Sequence, residues 1–253
     1  MGGKRVLAGE LVKLIEGIAH ESYIEPFVGM GGVFFRRRSR PRCEVVNDMA
    51  GDVATLFRIL QRHYLAFVEM LRWQLTTRAE FERLVATNPV TLTDLERAAR
   101  FFYLQKTAFG GKVTGRNFGV SPNEPSAFDI TRIVPQLEAY HLRLAGVVIE
   151  RLSYADLIPR YDRPGALFFL DPPYLGTEHF YGPGLFGRED FETLAELLRK
   201  LRGRFIMTVN DCPDTRRIFA RFDQRGRAVT YGVSGGQTKA RELIISGGGL
   251  ARR

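Results

Sequence analysis

The chain has 253 residues, which suits one large domain or a core domain with an insertion, and it carries a formal net charge of +9. Its two cysteines, Cys43 and Cys212, show no paired Cys/His spacing, which argues against a disulfide framework and a structural zinc site. The sequence has no signal peptide and no apolar run of about 18 residues, so we expect a soluble, cytoplasmic protein without a membrane segment.

The first predicted helix runs from Val6 to Ile18, where apolar residues repeat at helical spacing. A short strand, Tyr23 to Glu25, then enters a glycine-rich turn, Pro26 to Gly32, that leads into an apolar helix start. In this arrangement the backbone approaches a nucleotide-like ligand closely. The third glycine of the dinucleotide fingerprint is missing, so the turn favours an uncharged nucleoside over a pyrophosphate. An ordinary tight turn is the alternative.

The second strand, Cys43 to Asp48, ends in an acid that lies 19 residues after Gly29. In nucleotide-binding α/β folds, an acid at about this distance and at the end of the second strand binds the ribose hydroxyls. The glycine turn and Asp48 together therefore predict a nucleoside site. The basic loop Arg36 to Arg42 lies between them, and it is a candidate for phosphate contact or a solvated helix end.

From Asp52 to about Ala145 the apolar pattern is helical, with few strand-like runs, which predicts a mostly helical insertion. Its exception is a glycine-rich loop or hairpin from Thr107 to Gly119. The positive net charge favours nucleic acid as the partner, ahead of an anionic membrane surface, and glycine, cations and aromatic rings suit contact with it. The candidate nucleic-acid contacts are Phe109, Lys112, Arg116 and Asn117, with Phe118 as the other ring able to stack on a base.

The α/β pattern resumes after the insertion with a strand from Val147 to Leu152, which is followed by Asp156. The next strand is the apolar run Leu167 to Leu170. Later elements are a helix from about Glu189 to Leu201, a strand Phe205 to Asp211, a helix near Thr215 to Arg221 and a strand Glu242 to Ser246. Because parallel strands end at one edge of a sheet, Glu25, Asp48, Asp156 and Asp171 are expected at the same rim, where open α/β sheets bind ligands.

The turn Asp171-Pro172-Pro173-Tyr174 ends the central apolar run, because proline cannot donate to a sheet ladder. Asp171 can accept a hydrogen bond from an amino group, a proline-flanked carbonyl can accept another, and Tyr174 presents a flat ring. An exocyclic amine on a flat heterocycle would satisfy all three groups. A strand end with an ordinary Asp-Pro-Pro turn is the alternative.

Two motifs together resemble those of the S-adenosylmethionine-dependent N6-adenine DNA methyltransferases, specifically the Dam-like group (D12 class), including members from Mu-like prophages. Asp171 to Tyr174 is similar to the amino-methyltransferase signature of this family, and Glu25 to Gly31 is similar to its cofactor turn. The resemblance covers nearly the whole chain and includes the order of the motifs, with the cofactor turn first and the catalytic turn last.

The resemblance implies a Rossmann-like α/β methyltransferase sheet with a mostly helical insertion. It places the catalytic domain at residues 1–61 and 146–253 and the target-recognition region at 62–145. S-adenosylmethionine contacts are assigned to Lys4, Glu25, Phe27, Gly29, Gly31, Asp48, Asp156 and Asp171, and methyl transfer to Asp171, Pro172 and Tyr174. The implied partner is double-stranded DNA, with neither metal nor membrane, and the expected state is a monomer or weak dimer with a role such as restriction-modification.

The mechanism implied by the family is direct methyl transfer to the N6 amine of a flipped-out adenine. The hairpin Gly110 to Gly119 and the segment Val229 to Arg241 are short beside members that read a four-base site, so relaxed sequence specificity is expected. Two alternatives stay open. The same chemistry could act on an RNA adenine or a protein glutamine amide, or the chain could be a non-catalytic DNA-binding module that retains the fold.

Overall fold

The protein divides into two compact units, which we describe from a computed structural model covering residues 7–111, 115–119, 125–176, 186–233 and 236–248. One unit is mostly helical and spans Ala50–Gly146. The other contains the sheet and comprises the described parts of Gly3–Met49 and Val147–Arg253. The helical pattern that the sequence shows from Asp52 to about Ala145 matches the first unit, and the assignment of residues 62–145 to target recognition stays a prediction.

The sheet strands are β1 (Ser22–Glu25), β2 (Cys43–Asn47), β3 (Val148–Glu150), β4 (Ala166–Leu170), β5 (Arg204–Asn210), β6 (Asp223–Val233) and β7 (Gly236–Gly247). Across the described sheet their order is β3-β2-β1-β4-β5-β7-β6. β1 to β5 are parallel, whereas β7 runs antiparallel to both β5 and β6. The first five positions have the strand order of a doubly wound nucleotide-binding sheet, so the predicted Rossmann-like fold is confirmed.

In the described part of the sheet unit, the α-helices are α1 (Ala8–Glu16), α7 (Tyr154–Tyr161), α8 (Arg188–Arg199) and α9 (Pro213–Ile218). Every residue of β4 is buried, as expected for a parallel strand covered on both faces. α8 contributes Phe191, Leu194 and Leu198 to the same core as β4 and β5, because their spacing brings them to one helix face. This core fixes the ends of β4 and β5, where the predicted catalytic turn begins.

The helical unit contains α2 (Gly51–Arg62), α3 (Tyr64–Arg72), α4 (Arg78–Ala86), α5 (Asp94–Thr107) and α6 (Ile130–Arg143). α5 packs against α2, α3 and α4. Its start is set by a capping box, in which Thr93 and Glu96 each accept a hydrogen bond from the other's backbone N–H. No helix in the described ranges is long and apolar enough to span a membrane.

The long strand β6 is the main element that the sequence pattern misses. Its exposed side chains include Arg225 and Arg227, and the charges obscure the apolar alternation that marks a strand. β6 lies at the edge of the sheet, where charged side chains are common because they discourage pairing with another chain. The predicted last strand, Glu242 to Ser246, corresponds to the second half of β7, and this half pairs with β5.

Candidate active site

The glycine turn after β1 is held against the end of β2. Gly29 and Gly31 have φ values of +50° and +70°, in the left-handed region that glycine adopts without strain. The Val28 N–H donates to the Asn47 carbonyl at 2.9 Å, and the Gly29 N–H donates to Asp48 Oδ2 at 2.9 Å. Among the described residues other than its two chain neighbours, no atom lies within 4 Å of the place where a Cβ on Gly29 would stand, which leaves room for a ligand close to this backbone.

Asp48 therefore lies beside the glycine turn, as the spacing of 19 residues predicts, and its carboxylate also fixes that turn. Open backbone at Gly29, a carboxylate at Asp48 and a partly buried ring at Phe27 are groups that fit a nucleoside. Direct contact between Asp48 and a ribose stays a prediction.

Asn47 is a buried polar residue that the motifs did not identify. Its Nδ2 donates to the carbonyls of Pro26 and Leu152 at 2.8 and 3.0 Å, and its Oδ1 accepts from the Leu152 N–H at 2.8 Å. The Asn47 amide thus connects the end of β2 to the segments that follow β1 and β3. In the sequence, Asn47 is recognisable only as a polar residue at the end of an apolar strand. A buried polar group needs hydrogen-bond partners, and this need is the sign of its role.

Glu25 is 2% exposed, and its Oε2 accepts a hydrogen bond of 2.7 Å from the Tyr23 hydroxyl. The Arg37 guanidinium lies 3.5 Å from the centre of the Tyr23 ring and donates to Glu44 Oε1 at 2.8 Å. Burial, followed by the charge of Glu25, raises the pKa of Tyr23. Arg37 comes from the basic loop, but it is buried and paired, so it is a structural cation rather than a phosphate contact.

Phe27 packs in an aromatic cluster beside the glycine turn. Its ring centre lies 5.9 Å from that of Tyr154 and 5.6 Å from that of Phe186. The Tyr154 hydroxyl donates to Asp190 Oδ1 at 2.6 Å, and burial raises the pKa of this tyrosine. The cluster joins the cofactor turn to the starts of α7 and α8, and it fixes the position of the Phe27 ring.

Asp156 is exposed in the first turn of α7, where it takes part in helix capping. The Ser153 hydroxyl donates to Asp156 Oδ2 at 2.6 Å and accepts from the Asp156 N–H at 3.1 Å. Ser153 is therefore the N-cap of α7, and Asp156 lies within the helix, six residues after the end of β3 at Glu150. The role of Asp156 beside the adenine of a cofactor stays a prediction.

The turn after β4 is held by side chains from β5 and β7. The buried Thr208 hydroxyl donates to Asp171 Oδ1 at 2.9 Å. The Asn210 amide accepts from the Leu175 N–H at 3.0 Å and donates to the Leu175 carbonyl at 3.1 Å. The Tyr174 hydroxyl donates to Glu242 Oε1 at 2.6 Å. The carboxylate, the ring and the backbone of this turn are thus each oriented by a separate hydrogen bond.

None of these three supporting residues was predicted, although all three are polar residues that interrupt or begin predicted strands. Thr208 and Asn210 lie on β5, and Glu242, which is 1% exposed, lies on β7. Asn210 and Glu242 face each other in the strand register. Pro172 and Pro173 are buried, while Asp171 and Tyr174 are partly exposed. The turn therefore presents its acid and its ring from a fixed base.

The sequence predicts a loop or a hairpin for the glycine-rich segment of the helical unit. The described residues of this segment pair as in a short hairpin. The Phe109 N–H donates to the Asn117 carbonyl at 2.8 Å, and the Gly119 N–H donates to the Thr107 carbonyl at 2.7 Å. Phe118 packs on Phe81, with ring centres 5.2 Å apart, whereas Phe109 is 41% exposed. Of the two aromatic candidates, Phe109 is thus the one with the more accessible ring.

Arg116 is a candidate contact among the described residues of this hairpin. It is partly buried, and burial together with the charge of Arg100 lowers its pKa, with Asp52 opposing the shift. Asn117 is exposed. Two residues with predicted roles, Lys4 and Lys112, lie outside the described residues. The DNA contacts assigned to this hairpin stay predictions.

Among the described residues, no group of three or more His, Cys, Asp or Glu side chains could hold a metal ion. The strand order defines a Rossmann-like protein, and the glycine turn with its acid and the proline-framed turn lie at one edge of its sheet. Residues 1–229 match the family model of the D12 class N6 adenine-specific DNA methyltransferases. The chain belongs to this family.

Known proteins with similar sequences and structures are distant. The chain is 23% identical over 192 residues to the Type II methyltransferase M.CviBI of Paramecium bursaria Chlorella virus NC1A, a match covering 74% of this chain and 72% of that protein. Among solved structures, a SAM-dependent O-methyltransferase from Thermotoga maritima has a TM-score of 0.42 and 9% identity, covering 98% of this chain and 66% of the other. The precorrin 8W decarboxylase from Methanobacterium thermoautotrophicum has a TM-score of 0.38 and 14% identity, covering 94% and 89%.

Family membership makes the protein an enzyme that methylates adenine N6 in DNA, with S-adenosylmethionine as its cofactor. The predicted family and cofactor are thereby confirmed. The glycine turn, Asp48 and Phe27 fit the nucleoside part of this cofactor, as described above. They lie at the same sheet edge as the turn Asp171 to Tyr174, because β1 and β4 are parallel neighbours.

Proposed function

We propose that this enzyme transfers a methyl group from S-adenosylmethionine to the N6 amine of an adenine flipped out of duplex DNA, with relaxed sequence specificity. Asp171, Pro172 and Tyr174 form its catalytic turn. The observation that carries this proposal is the set of hydrogen bonds that link the turn to Thr208, Asn210 and Glu242 and hold its acid, backbone and ring in fixed positions. Such preorganisation favours the transition state, because little reorganisation is needed during the reaction.

The turn supplies the acceptors that the chemistry needs. The N6 lone pair of adenine is delocalised into the ring, so the amine is a poor nucleophile. Asp171 and the Pro172 carbonyl accept hydrogen bonds from the amine, and this localises the lone pair toward the incoming methyl group. When bound, the cofactor would supply an activated methyl group on a sulfonium, whose sulfur would leave as a neutral thioether. The proton that the methylated amine must lose would pass to the Asp171 carboxylate and from there to solvent. The Thr208 hydroxyl sets the rotation of the Asp171 carboxylate.

Base flipping follows from the location of N6 inside a stacked duplex. Extruding a base costs a few kcal/mol, and stacking on an aromatic ring recovers about 1–3 kcal/mol. Tyr174 provides this ring, and its hydroxyl is anchored on the buried Glu242. The anchor fixes the plane on which the flipped adenine stacks.

The cofactor site comprises the residues of the two turns and the acids around them. Glu25, Phe27, Gly29 and Gly31 come from β1 and the turn after it, Asp48 follows β2, Asp156 lies in the first turn of α7, and Asp171 lies between cofactor and base. Support comes from the close packing of Phe27 and from the bond between Gly29 and Asp48. Lys4 completes the assignment from sequence resemblance.

The helical unit is the target-recognition region in this proposal, and residues 62–145 carry it. Its hairpin contacts DNA through Phe109, Lys112, Arg116 and Asn117. The described part of the hairpin forms a single β-bridge, between Ala108 and Phe118. So small a hairpin offers few side chains for reading bases, which supports relaxed specificity.

The test is transfer of labelled methyl from S-adenosylmethionine to unmethylated duplex DNA, followed by nucleoside analysis and mapping of every modified position. The proposal predicts N6-methyladenine in many sequence contexts. Methylation at one motif alone would contradict relaxed specificity and leave the chemistry intact. Transfer to RNA but not to DNA would contradict the substrate, and cofactor binding without transfer to either would restore the non-catalytic alternative.

A further inference from the structure

Four arginines surround two aspartates at the carboxyl end of β5, and we name these six residues the arginine cluster: Arg188, Arg216, Arg217, Arg241, Asp211 and Asp214. Asp211 follows β5 directly, and Asp214 lies in α9. Each aspartate is shared by two arginines, so the cluster has a surplus of two positive charges. This surplus is not part of the catalytic turn or of the cofactor site.

Asp211 is the inner acid of the cluster. Arg216 binds it with two hydrogen bonds, Nε to Oδ1 at 2.5 Å and Nη2 to Oδ2 at 2.9 Å, and Arg241 Nε lies 3.5 Å from Oδ2. The Asp211 side chain is 6% exposed, whereas those of Arg216 and Arg241 are 44% and 72% exposed. The Arg216 hydrogen bond and the charges of both arginines lower the pKa of Asp211. The acid therefore stays ionised and holds two exposed guanidinium groups.

Asp214 repeats the arrangement nearer the surface. Arg188 Nη2 donates to its Oδ2 at 2.7 Å, and Arg217 Nη2 donates to its Oδ1 at 3.4 Å. Both arginines are mostly exposed. Exposed ion pairs add little to folding stability, so stability alone does not account for two arginines on each acid. An arginine held by one carboxylate still has guanidinium N–H groups to offer to a second anion.

The cluster is adjacent to the catalytic turn through two neighbouring strands. Asn210 on β5 and Glu242 on β7, which face each other in register, both bind that turn. The next residues outward are Asp211 and Arg241, and the Asp211 N–H donates to the Arg241 carbonyl at 3.0 Å. The cluster therefore begins one residue beyond the pair that orients Leu175 and Tyr174.

Gly226 on β6 leaves room for these guanidinium groups. A Cβ at this position would stand 3.2 Å from both Arg216 Nη2 and Asp211 Oδ2, and 3.7 Å from Arg241 Nη2. A larger side chain would therefore displace the arginines from the surface that they form. Gly226 thus supports the geometry of the cluster from the opposite strand.

We propose that the arginine cluster binds the phosphodiester backbone of the DNA strand beside the adenine that enters the catalytic turn. This inference rests on the proposed function, since it takes DNA as the substrate. The planar guanidinium fork matches phosphate oxygens, and the aspartates hold the forks in place before binding, which reduces the conformational entropy lost on association. Binding of phosphates releases counterions, so the contribution of the cluster depends on salt.

Two double variants test the cluster, Arg216→Gln with Arg241→Gln and Arg188→Gln with Arg217→Gln. The matched control is Arg160→Gln with Arg199→Gln, which also removes two positive charges. Arg160 and Arg199 are exposed near the carboxyl-terminal ends of α7 and α8, which lead back to the opposite edge of the sheet. The first double variant leaves the buried Asp211 without its arginines, and this could disturb folding. The second double variant does not carry this risk, because Asp214 is far more exposed than Asp211.

The measurement is binding of a short fluorescein-labelled duplex over a series of KCl concentrations, together with the KM values for DNA and for S-adenosylmethionine. The slope of the log–log salt dependence should become shallower by about 0.9 for each DNA phosphate that the variant no longer neutralises. The KM for DNA should rise at least about tenfold at moderate salt in the cluster variants, while the KM for the cofactor should not change. The control should show a much smaller change in either quantity.

Three results have distinct meanings. If the wild-type enzyme is active but the cluster variants match the control in salt slope and in KM for DNA, this inference is wrong and the proposed function stands. A wild-type protein that binds the duplex with a cluster-dependent slope but transfers no methyl group would contradict the proposed function and support the inference. A wild-type protein that does not bind the duplex would overturn both.

Discussion

The two turns at the carboxyl edge of the sheet are built in different ways. The glycine turn depends on its own backbone and on the adjacent strand, with Gly29 bonded to Asp48 19 residues further on. The catalytic turn depends on side chains that follow later in the chain, with Thr208 bonded to Asp171 and Glu242 to Tyr174 across 37 and 68 residues. The first turn gains its shape from glycine, and the second gains its rigidity from proline and distant hydrogen bonds.

The largest effect is expected from Asp171→Ala, because this variant removes the acceptor that activates the amine. Methyl transfer should fall by about 10²- to 10⁴-fold, the range usual for removal of a proton acceptor. Cofactor affinity should be affected much less, and the thermal midpoint should be retained. Asp223→Ala, which removes an exposed acid at the start of β6, is the control. Near-normal activity of the Asp171 variant would mean that the chemistry belongs to another residue.

Thr208→Val tests whether the catalytic turn depends on β5. It removes the hydroxyl that donates to Asp171 and keeps the shape of the buried side chain. Since a hydrogen bond to a charged group contributes about 1.5–3 kcal/mol, kcat should fall roughly 10- to 100-fold, with the KM for the cofactor unchanged.

A second variant of Thr208 and a control elsewhere separate the orientation of the Asp171 carboxylate from the packing of the buried side chain. Thr208→Ser keeps the hydroxyl and should retain most of the activity. Thr230→Val removes an exposed hydroxyl on β6 and should leave kcat unchanged. If the valine variant at position 208 kept its full kcat, the Asp171 carboxylate would be oriented without help from β5.

Gly29→Ala tests the glycine turn in the same manner. A left-handed φ costs a residue with a Cβ about 1–2 kcal/mol, so the turn should shift and bind S-adenosylmethionine about 5- to 30-fold more weakly by calorimetry. Gly9→Ala is the control, because Gly9 lies in α1 with no atom within 4 Å of the place where its Cβ would stand. That change should stabilise the fold by about 0.5–1 kcal/mol. Equal cofactor affinity in both variants would argue against close approach at Gly29.

The smallest effect is expected at the hairpin of the helical unit, which is also built from local contacts. Phe109→Ala should weaken duplex binding about fivefold through removal of about 1 kcal/mol of stacking, without changing the thermal midpoint. Phe118→Ala should instead lower the thermal midpoint, because this ring packs on Phe81. Unchanged DNA affinity in the Phe109 variant would exclude the predicted stacking contact.

Local motifs predict well what is built locally. The glycine turn, its acid and the apolar strand before Asp171 all follow from neighbouring residues, and the α/β class follows from the alternation of strands and helices. Thr208, Asn210 and Glu242 were missed because their roles depend on which strands become neighbours, which short patterns do not specify. Arg37 shows the same limit, since a basic loop gives no sign that one of its cations is buried against Tyr23.

The hydrogen bond between Tyr174 and Glu242 has a consequence for folding during translation. Glu242 lies on β7, one of the last strands to be synthesised and beyond the residues 1–229 that match the family model. Non-local pairings of this kind form late, after the chain has overcome the entropy of closing a long loop. A nascent chain that already bears both motifs therefore still lacks the anchor for its aromatic ring. Competence to modify DNA should arise only once translation has passed Glu242 and β7 has docked.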